Sequence, residues 1–171
     1  MKTKTGLNLA GSIVTLSLIV VDQFTKYLAE TTLAGTSGIS MIPGVFEFYY
    51  LENTGAAFGM LDNRQIFFVA IAFVISAFAV YVYIRTPCES RDRAFYYPLR
   101  LICVLLTAGA LGNMIDRLTH GYVVDFLYFS LIDFPVFNLA DCYVCVGAGL
   151  ALIFLFTKYR SEEFVFLKIR K

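Results

Sequence analysis

Charged residues and histidine are scarce in this sequence, and their shortage excludes several classes of protein. Only 16% of the 171 residues are charged, whereas an ordinary soluble domain has about 25%. Such a composition excludes a disordered chain, a nucleic-acid binder and most soluble enzymes. Beyond the single histidine, His120, there is no Ser-His-Asp set, zinc motif or phosphate-binding loop. The four cysteines lack regular spacing and predict no disulfide framework.

Long apolar runs take up most of the chain instead. Hydrophobic residues make up 58% of the sequence, and the mean hydropathy is +0.71. A helix needs about 20 mostly apolar residues to cross a bilayer, and four segments are long enough, at about 6–29, 66–84, 97–115 and 136–157. Inside hydrocarbon the backbone must satisfy its own hydrogen bonds, which favours helices. The sequence therefore predicts one domain, residues 1–171, that is an all-α polytopic membrane protein with four transmembrane helices.

The basic residues are distributed unequally between the two sides of this bundle. Eleven of the 14 lysines and arginines lie before helix 1, between helices 2 and 3, or after helix 4. Because basic residues collect on the cytoplasmic side, both termini are predicted in the cytoplasm. Nine of the 13 acidic residues lie on the opposite, outer side. Acidic residues affect topology only weakly, so their concentration there raises the question of what the outer carboxylates do.

The segment 30–65 is the largest part outside the apolar runs, and it predicts a small β-sheet on the outer surface. Residues 45–51 are rich in aromatic and β-branched side chains, with alternate aromatic rings on one face, as in a strand. The preceding Pro-Gly pair is typical of a turn. Small residues at 53–59 allow another backbone to approach closely, although the spacing alone fits a plain loop as well.

Five ionisable or polar residues fall near the outer ends of helices 1 and 3. Asp22 and Lys26 are four residues apart and share one face of helix 1. Charged residues within a span usually pair inside the bundle, so we favour a structural ion pair over a catalytic or transport pair. Asn113, Asp116 and Arg117 lie at the end of helix 3. The simplest interpretation pairs Asp116 with Arg117, although the donors of Arg117 also suit a substrate backbone or a phosphate.

Two further aspartates lie among apolar neighbours at the outer membrane surface. Asp125 follows two valines, and Asp141 lies at the start of helix 4, where Asn138 shares its face. The connection 121–136 is short, so the two carboxyl groups can meet. Such a pair holds one proton, activates water and protonates a leaving amine, as in aspartic proteases. Helix capping and solvated loop charge are the alternatives, and spacing alone does not choose the pair from four candidates: Asp116, Asp125, Asp133 and Asp141.

Cys142 and Cys145 form a Cys-x-x-Cys pattern, which in a soluble chain suggests redox or metal chemistry. Here the pattern lies inside a transmembrane segment, with no second pair and with the one histidine elsewhere. We interpret both cysteines as small apolar packing residues.

Five blocks of residues occur in an order, and with an outer-face placement, that is similar to one known family. The blocks are Asp22-Gln23 with Lys26, NTGAAF at 53–58, GALGN at 109–113 with Asp116-Arg117, VVDF at 123–126, and FN with AD between 137 and 141. On these blocks the chain resembles the lipoprotein signal peptidase family, also called signal peptidase II, over essentially its whole length. The third block is the most specific signature of the family.

The resemblance implies an aspartic endopeptidase of the bacterial inner membrane that cuts prolipoproteins on the N-terminal side of a diacylglyceryl-modified cysteine. It implies a catalytic dyad of Asp125 and Asp141 at the outer face, beneath a β-cradle formed by the outer segment. It assigns substrate binding or support of the dyad to Asn53, Asn113, Arg117 and Asn138. It assigns structural roles to Asp22, Lys26 and Asp116. Cys142 departs from the family, in which serine is common at that position, and this change bears only on hydrogen bonding around Asp141.

The same resemblance sets the expected partners and leaves two other functions open. No metal or organic cofactor is expected, and the partners are lipid-modified prolipoproteins and membrane lipids, without nucleic acid. The oligomeric state is open, and nothing in the sequence requires more than a monomer. One alternative is a small transporter that uses the outer carboxylates as a relay, and the other is a membrane scaffold with a docking surface. A relay needs carboxylates throughout the membrane depth, and helix 2 and the inner half of helix 4 contain none.

Overall fold

The computed structural model of the protein describes residues 4–55, 65–87 and 93–167. Four long helices cover most of them: α1 (Lys4–Leu33), α2 (Gln65–Arg85), α3 (Arg93–Thr119) and α4 (Leu139–Thr157). All four are long and apolar enough to cross a membrane. The prediction of four transmembrane helices is therefore confirmed, and their ends differ from the predicted ends by about one helical turn or less.

Helix α3 is the most buried of the four, and α1, α2 and α4 all pack against it. Small residues allow this packing, because Ala108 is fully buried and the glycines beside it face other helices. A methyl group at Gly109 would collide with the carbonyl oxygen of Ala140 in α4, and one at Gly112 would lie 2.6 Å from Asp22 Oδ2 in α1. The end of α3 is therefore held directly against α1 and the start of α4.

A three-stranded antiparallel sheet packs against α1. Its strands are β1 (Ile39–Ile42), β2 (Phe46–Asn53) and β3 (Val123–Tyr128), in that spatial order. β1 and β2 form a hairpin whose turn contains Gly44 at a φ of +70°, a conformation that suits glycine. The small sheet confirms the predicted strand, which extends to Asn53.

β3 is a strand that the sequence pattern does not indicate. Residues 123–126 are all buried, so this strand lacks the polar–apolar alternation of a half-buried strand. Its register with β2 places Asn53 opposite Val123 and Leu51 opposite Asp125. This pairing brings the end of β2 to the aspartate of β3.

Residues 56–64 of the predicted outer segment lie outside the described residues, and so does the AAF half of the NTGAAF block. The described part of the segment consists of the end of α1, β1 and β2.

Buried side chains form one cluster near the sheet and another near the start of α3. The first includes Ala29, Val124 and Phe126. The second includes Tyr96 and Tyr159 and is covered by the 3₁₀-helix Ser161–Leu167. Large apolar side chains are exposed on the outer surfaces of the helices, as expected for a bundle whose surroundings are lipid chains.

Candidate active site

The start of α4 holds Asp141 in a capping box. Asn138 is the N-cap residue, and its side-chain oxygen accepts a hydrogen bond from the Asp141 backbone N–H at 3.0 Å. In return, Asp141 Oδ2 accepts a hydrogen bond from the Asn138 backbone N–H at 3.2 Å. This reciprocal arrangement satisfies N–H groups that have no partner within the helix. It also fixes the direction of the Asp141 carboxylate.

Asn138 contacts a second aspartate as well. Its Nδ2 donates to Asp125 Oδ1 at 2.6 Å, and the asparagine is fully buried. Asp125 lies in β3 with 1% of its surface exposed. An antiparallel bridge between Leu127 and Phe137 holds the chain before α4 beside β3. The structure therefore brings Asp125 and Asp141 together, as the short connection between them allows.

Two more asparagines complete the contacts of the carboxylates. Asn53 Nδ2, from β2, donates to Asp125 Oδ2 at 2.7 Å. Asn113 Nδ2, from α3, donates to Asp141 Oδ1 at 2.7 Å. Each of the four carboxylate oxygens thus accepts one N–H and keeps a lone pair for a proton or a water molecule.

Both aspartates line a cavity of about 450 Å³. Three of the four predicted substrate-binding residues line it too: Asn53, Asn113 and Arg117. The fourth, Asn138, lies behind the carboxylates. Residues 134–137 supply an apolar wall. A few polar groups in an otherwise apolar cavity of this size are typical of a binding site.

The charge on Asp125 is strongly disfavoured by its surroundings. The pKa of Asp125 is raised from 3.8 to about 7, chiefly by burial and next by the nearby carboxylate of Asp141, whereas hydrogen bonds from Asn53 and Asn138 oppose the rise. Two carboxyl groups that interact in this way hold one proton between them, and the proton belongs to the pair. Near neutral pH the pair therefore contains both a proton acceptor and a proton donor.

The predicted ion pair between Asp116 and Arg117 is wrong. Asp116 Oδ2 pairs with Lys26 Nζ at 2.9 Å. Arg117 Nη2 instead donates to the Gly55 carbonyl oxygen at 3.2 Å, and the guanidinium lies over the ring of Phe68. Consecutive side chains on a helix point in different directions, so neighbours in sequence do not face each other.

The predicted ion pair between Asp22 and Lys26 is confirmed, with 2.9 Å between Oδ2 and Nζ and with both side chains buried. Gln23 belongs to the same group, because its Nε2 donates to Asp116 Oδ1 at 2.8 Å and to the Gly112 carbonyl oxygen at 3.2 Å. Residue spacing assigns Gln23 no role. Its signals in the sequence are its position beside Asp22 in a largely apolar run and its place in the first of the five family blocks.

The remaining candidates lie at the edge of the cavity or away from it. Asp133 is exposed and accepts a hydrogen bond from the Tyr128 hydroxyl at 2.7 Å, as a loop charge does. Cys142 and Cys145 are free thiols that line the cavity, with Cys145 exposed. Within the described ranges, no three His, Cys, Asp or Glu side chains are arranged to hold a metal ion.

Comparison with known proteins gives consistent matches across the chain. A family model described as signal peptidase (SPase) II matches residues 14–157. The lipoprotein signal peptidase of Symbiobacterium thermophilum is 50% identical over 139 residues, which are 80% of this chain and 86% of that protein. The lipoprotein signal peptidase of Caldanaerobacter subterraneus subsp. tengcongensis is 43% identical over 141 residues, 80% and 91% of the two chains. A bacterial membrane enzyme solved by the in meso method at 2.3 Å resolution superimposes with a TM-score of 0.74 and 31% identity, over 95% of this chain and 93% of that one.

Proposed function

Because the chain belongs to the signal peptidase II family, we propose that it removes signal peptides from prolipoproteins by aspartic catalysis. Membership of this family makes it a peptidase, and its four apolar helices make it a multi-pass bacterial membrane protein. The proposed cut lies on the N-terminal side of the diacylglyceryl-modified cysteine. The catalytic pair in this proposal is Asp125 and Asp141.

The observation that carries the proposal is the pair of carboxylates, Asp125 buried and Asp141 partly buried, that share one cavity and one asparagine. In the proposed reaction, the ionised carboxylate takes a proton from a water molecule, whose oxygen attacks the scissile carbonyl carbon. The protonated carboxyl group donates a hydrogen bond to the carbonyl oxygen. Collapse of the tetrahedral intermediate breaks the C–N bond, and the leaving amine takes a proton from the pair. These steps use no metal and no organic cofactor.

The cavity lining supports substrate-binding roles for Asn53, Asn113 and Arg117, whereas Asn138, buried behind the carboxylates, supports the pair. Arg117 is held in place by the Gly55 carbonyl oxygen and the Phe68 ring, and its buried Nε has no hydrogen-bond partner. A fixed donor of this kind suits a peptide carbonyl oxygen. The strands β1 and β2 form the described part of the proposed cradle for the extended peptide.

We place the dyad at the outer face of the bacterial inner membrane, with both chain termini in the cytoplasm. Arg85, Arg100 and Lys158 lie at the end of the bundle opposite to Asp125 and Asp141, which is the arrangement that the positive-inside rule gives for this orientation. The exposed apolar helix surfaces contact membrane lipids, and we propose that the chain acts as a monomer.

A transmembrane proton relay is disfavoured because α2 has no acidic residue and α4 has only Asp141.

The test is Asp125→Asn and Asp141→Asn, each purified and assayed for release of signal peptide from a diacylglyceryl-modified prolipoprotein. We expect each substitution to lower kcat by about 10²–10⁴-fold, the contribution of a general acid or base. Asp133→Asn is the matched control, because Asp133 is exposed and lies outside the cavity, and it should keep full activity. An unmodified prolipoprotein, assayed in parallel, should not be cut. Substantial turnover by either dyad variant would overturn the aspartic mechanism.

A further inference from the structure

Behind the two aspartates lies a buried ionic group, here called the Lys26 cluster, which consists of Asp22, Lys26 and Asp116. Their side chains are 0%, 3% and 2% exposed. The ammonium group of Lys26 has three hydrogen-bond donors. It lies 2.9 Å from Asp22 Oδ2, 2.9 Å from Asp116 Oδ2 and 2.8 Å from Asn113 Oδ1. All three donors are therefore occupied, and none is directed at the cavity.

The two carboxylates of the Lys26 cluster hold the backbone next to each aspartate of the proposed dyad. Asp22 Oδ1 accepts a hydrogen bond from the backbone N–H of Ala140, the residue before Asp141, at 2.9 Å. Asp116 Oδ2 accepts one from the backbone N–H of Val124, the residue before Asp125, at 3.2 Å. Lys26 joins these two carboxylates. The cluster thus links the backbone of β3 to that of α4 immediately beside the reacting groups.

Lys26 also determines which way the Asn113 side chain faces. An ammonium group has donors and no acceptor, so the oxygen of the Asn113 amide must face Lys26. The same oxygen accepts a hydrogen bond from Asn138 Nδ2 at 3.1 Å. The amide nitrogen of Asn113 is left to donate to Asp141 Oδ1. Without Lys26 the amide could turn and present its oxygen to a carboxylate.

We propose that Lys26 is a positioning residue for the Asp125–Asp141 pair, acting through the Asn113 amide and through the two backbone contacts of its cluster. This inference rests on the proposed aspartic function. A positioning role predicts a lower kcat with little change in KM, because a buried lysine does not touch substrate. It also predicts a changed pH profile, because the hydrogen bonds to a carboxylate set its protonation.

The charged and titratable groups around the pair come from three helices. Asp22 and Lys26 belong to α1, Asp116 and Arg117 belong to α3, and Cys142 and Cys145 belong to α4 beside Asp141.

A variant that removes Lys26 alone would leave two buried carboxylates without a cation, which strongly destabilises a fold. The test variant therefore removes one positive and one negative charge together.

The experiment compares the double variants K26M/D22N and K26Q/D22N in the full-length enzyme. Both keep the net charge of the cluster, and asparagine at position 22 keeps an oxygen for the Ala140 N–H. They differ in whether position 26 has a donor for Asn113 Oδ1. We expect K26M/D22N to lose about a hundredfold in kcat, as for a misplaced catalytic group, with KM within about twofold. The acidic limb of its kcat profile should move to higher pH, and K26Q/D22N should recover part of both changes.

Arg100→Met is the matched control for loss of a buried cation. Arg100 is 6% exposed, lies at the other end of α3 and donates to the Thr86 carbonyl oxygen at 2.7 Å. The substitution Arg100→Met should lower the unfolding temperature and leave the pH profile of kcat unchanged.

Three outcomes separate this inference from the proposed function. A native kcat and pH profile in K26M/D22N, with Asp125→Asn and Asp141→Asn inactive, overturns the role of Lys26 alone. Activity in the two dyad variants overturns the aspartic mechanism itself. If K26M/D22N does not fold, Asn113→Ala removes the same donor to Asp141, and a native pH profile in that variant refutes the inference.

Discussion

Replacing Asp125 with asparagine tests the charge of this residue through stability, independently of activity. The pKa of Asp125 is raised, chiefly by burial, from 3.8 to about 7, so the folded protein binds this proton more tightly than the unfolded chain does. The contribution of the Asp125 carboxyl group to the free energy of unfolding is therefore fully present below pH 3.8. It is lost progressively as the pH rises to about 7, and the loss is complete above that pH.

The size of the effect follows from the pKa change and from two hydrogen bonds. A rise of about three pKa units corresponds to about 1.36 kcal/mol for each unit. At pH 8, ionised Asp125 therefore lowers the free energy of unfolding by about 4 kcal/mol relative to a protonated Asp125. Asparagine removes this penalty but offers one oxygen, so either Asn53 Nδ2 or Asn138 Nδ2 loses its acceptor. That loss costs about 1–3 kcal/mol. Asp125→Asn should therefore be about 1–3 kcal/mol more stable than the native protein at pH 8 and less stable by about the same amount at pH 4.

The assay is thermal unfolding in detergent micelles at pH 4, 6 and 8, with the native protein and the variant measured side by side. The expected signature is a difference in unfolding temperature that changes sign across this range. Asp133→Asn serves as the reference for removal of an exposed aspartate outside the cavity, and its difference in unfolding temperature from the native protein should show no such reversal of sign. A difference for Asp125→Asn that is equal at pH 4 and pH 8 would refute the raised pKa and the reasoning built on it.

Two further experiments test the packing and the cavity. Gly112→Ala places a methyl group 2.6 Å from Asp22 Oδ2 and should destabilise the fold by about 1–3 kcal/mol. The control Gly149→Ala meets no atom within 4 Å and should leave the unfolding temperature unchanged. Equal unfolding temperatures for the two variants would contradict the close contact of α1 and α3. A bulky maleimide on the exposed Cys145 should block signal-peptide release because this thiol lines the cavity. Cys145→Ala should be active and resistant to the reagent, and equal inhibition of that variant would place the reactive thiol elsewhere.

The transmembrane helices could be predicted from sequence because the bilayer imposes a length and a composition on each of them. No such constraint acts on β3. Val123, Val124 and Phe126 are buried on both faces of the strand, so periodicity is absent and a short apolar run fits a strand or a helix equally well. The strand becomes defined only through its pairing with β2, which lies far away in the sequence.

The candidate site shows the same division between local and long-range information. The four-residue spacing of Asp22 and Lys26 predicts their contact, because it is local to one helix. The other partners of Lys26 lie on α3, 87 residues away for Asn113, and no local pattern indicates them. The choice of Asp125 and Asp141 from four aspartates likewise came from the family resemblance, since the spacing of the residues left the choice open.

The identity of Asn138 follows from two demands that act on one side chain. At the N-cap position of α4, three residue types are nearly equivalent: asparagine, aspartate and serine. Asp125 adds a second demand, because Asn138 must accept from the Asp141 N–H while it donates to Asp125 Oδ1. Aspartate would meet the first demand but would add a third carboxylate beside the pair. Serine would cap the helix, but its single short hydroxyl does not extend to a second partner. Only an amide satisfies both contacts, so the cap that starts α4 also sets the distance between its own aspartate and that of β3.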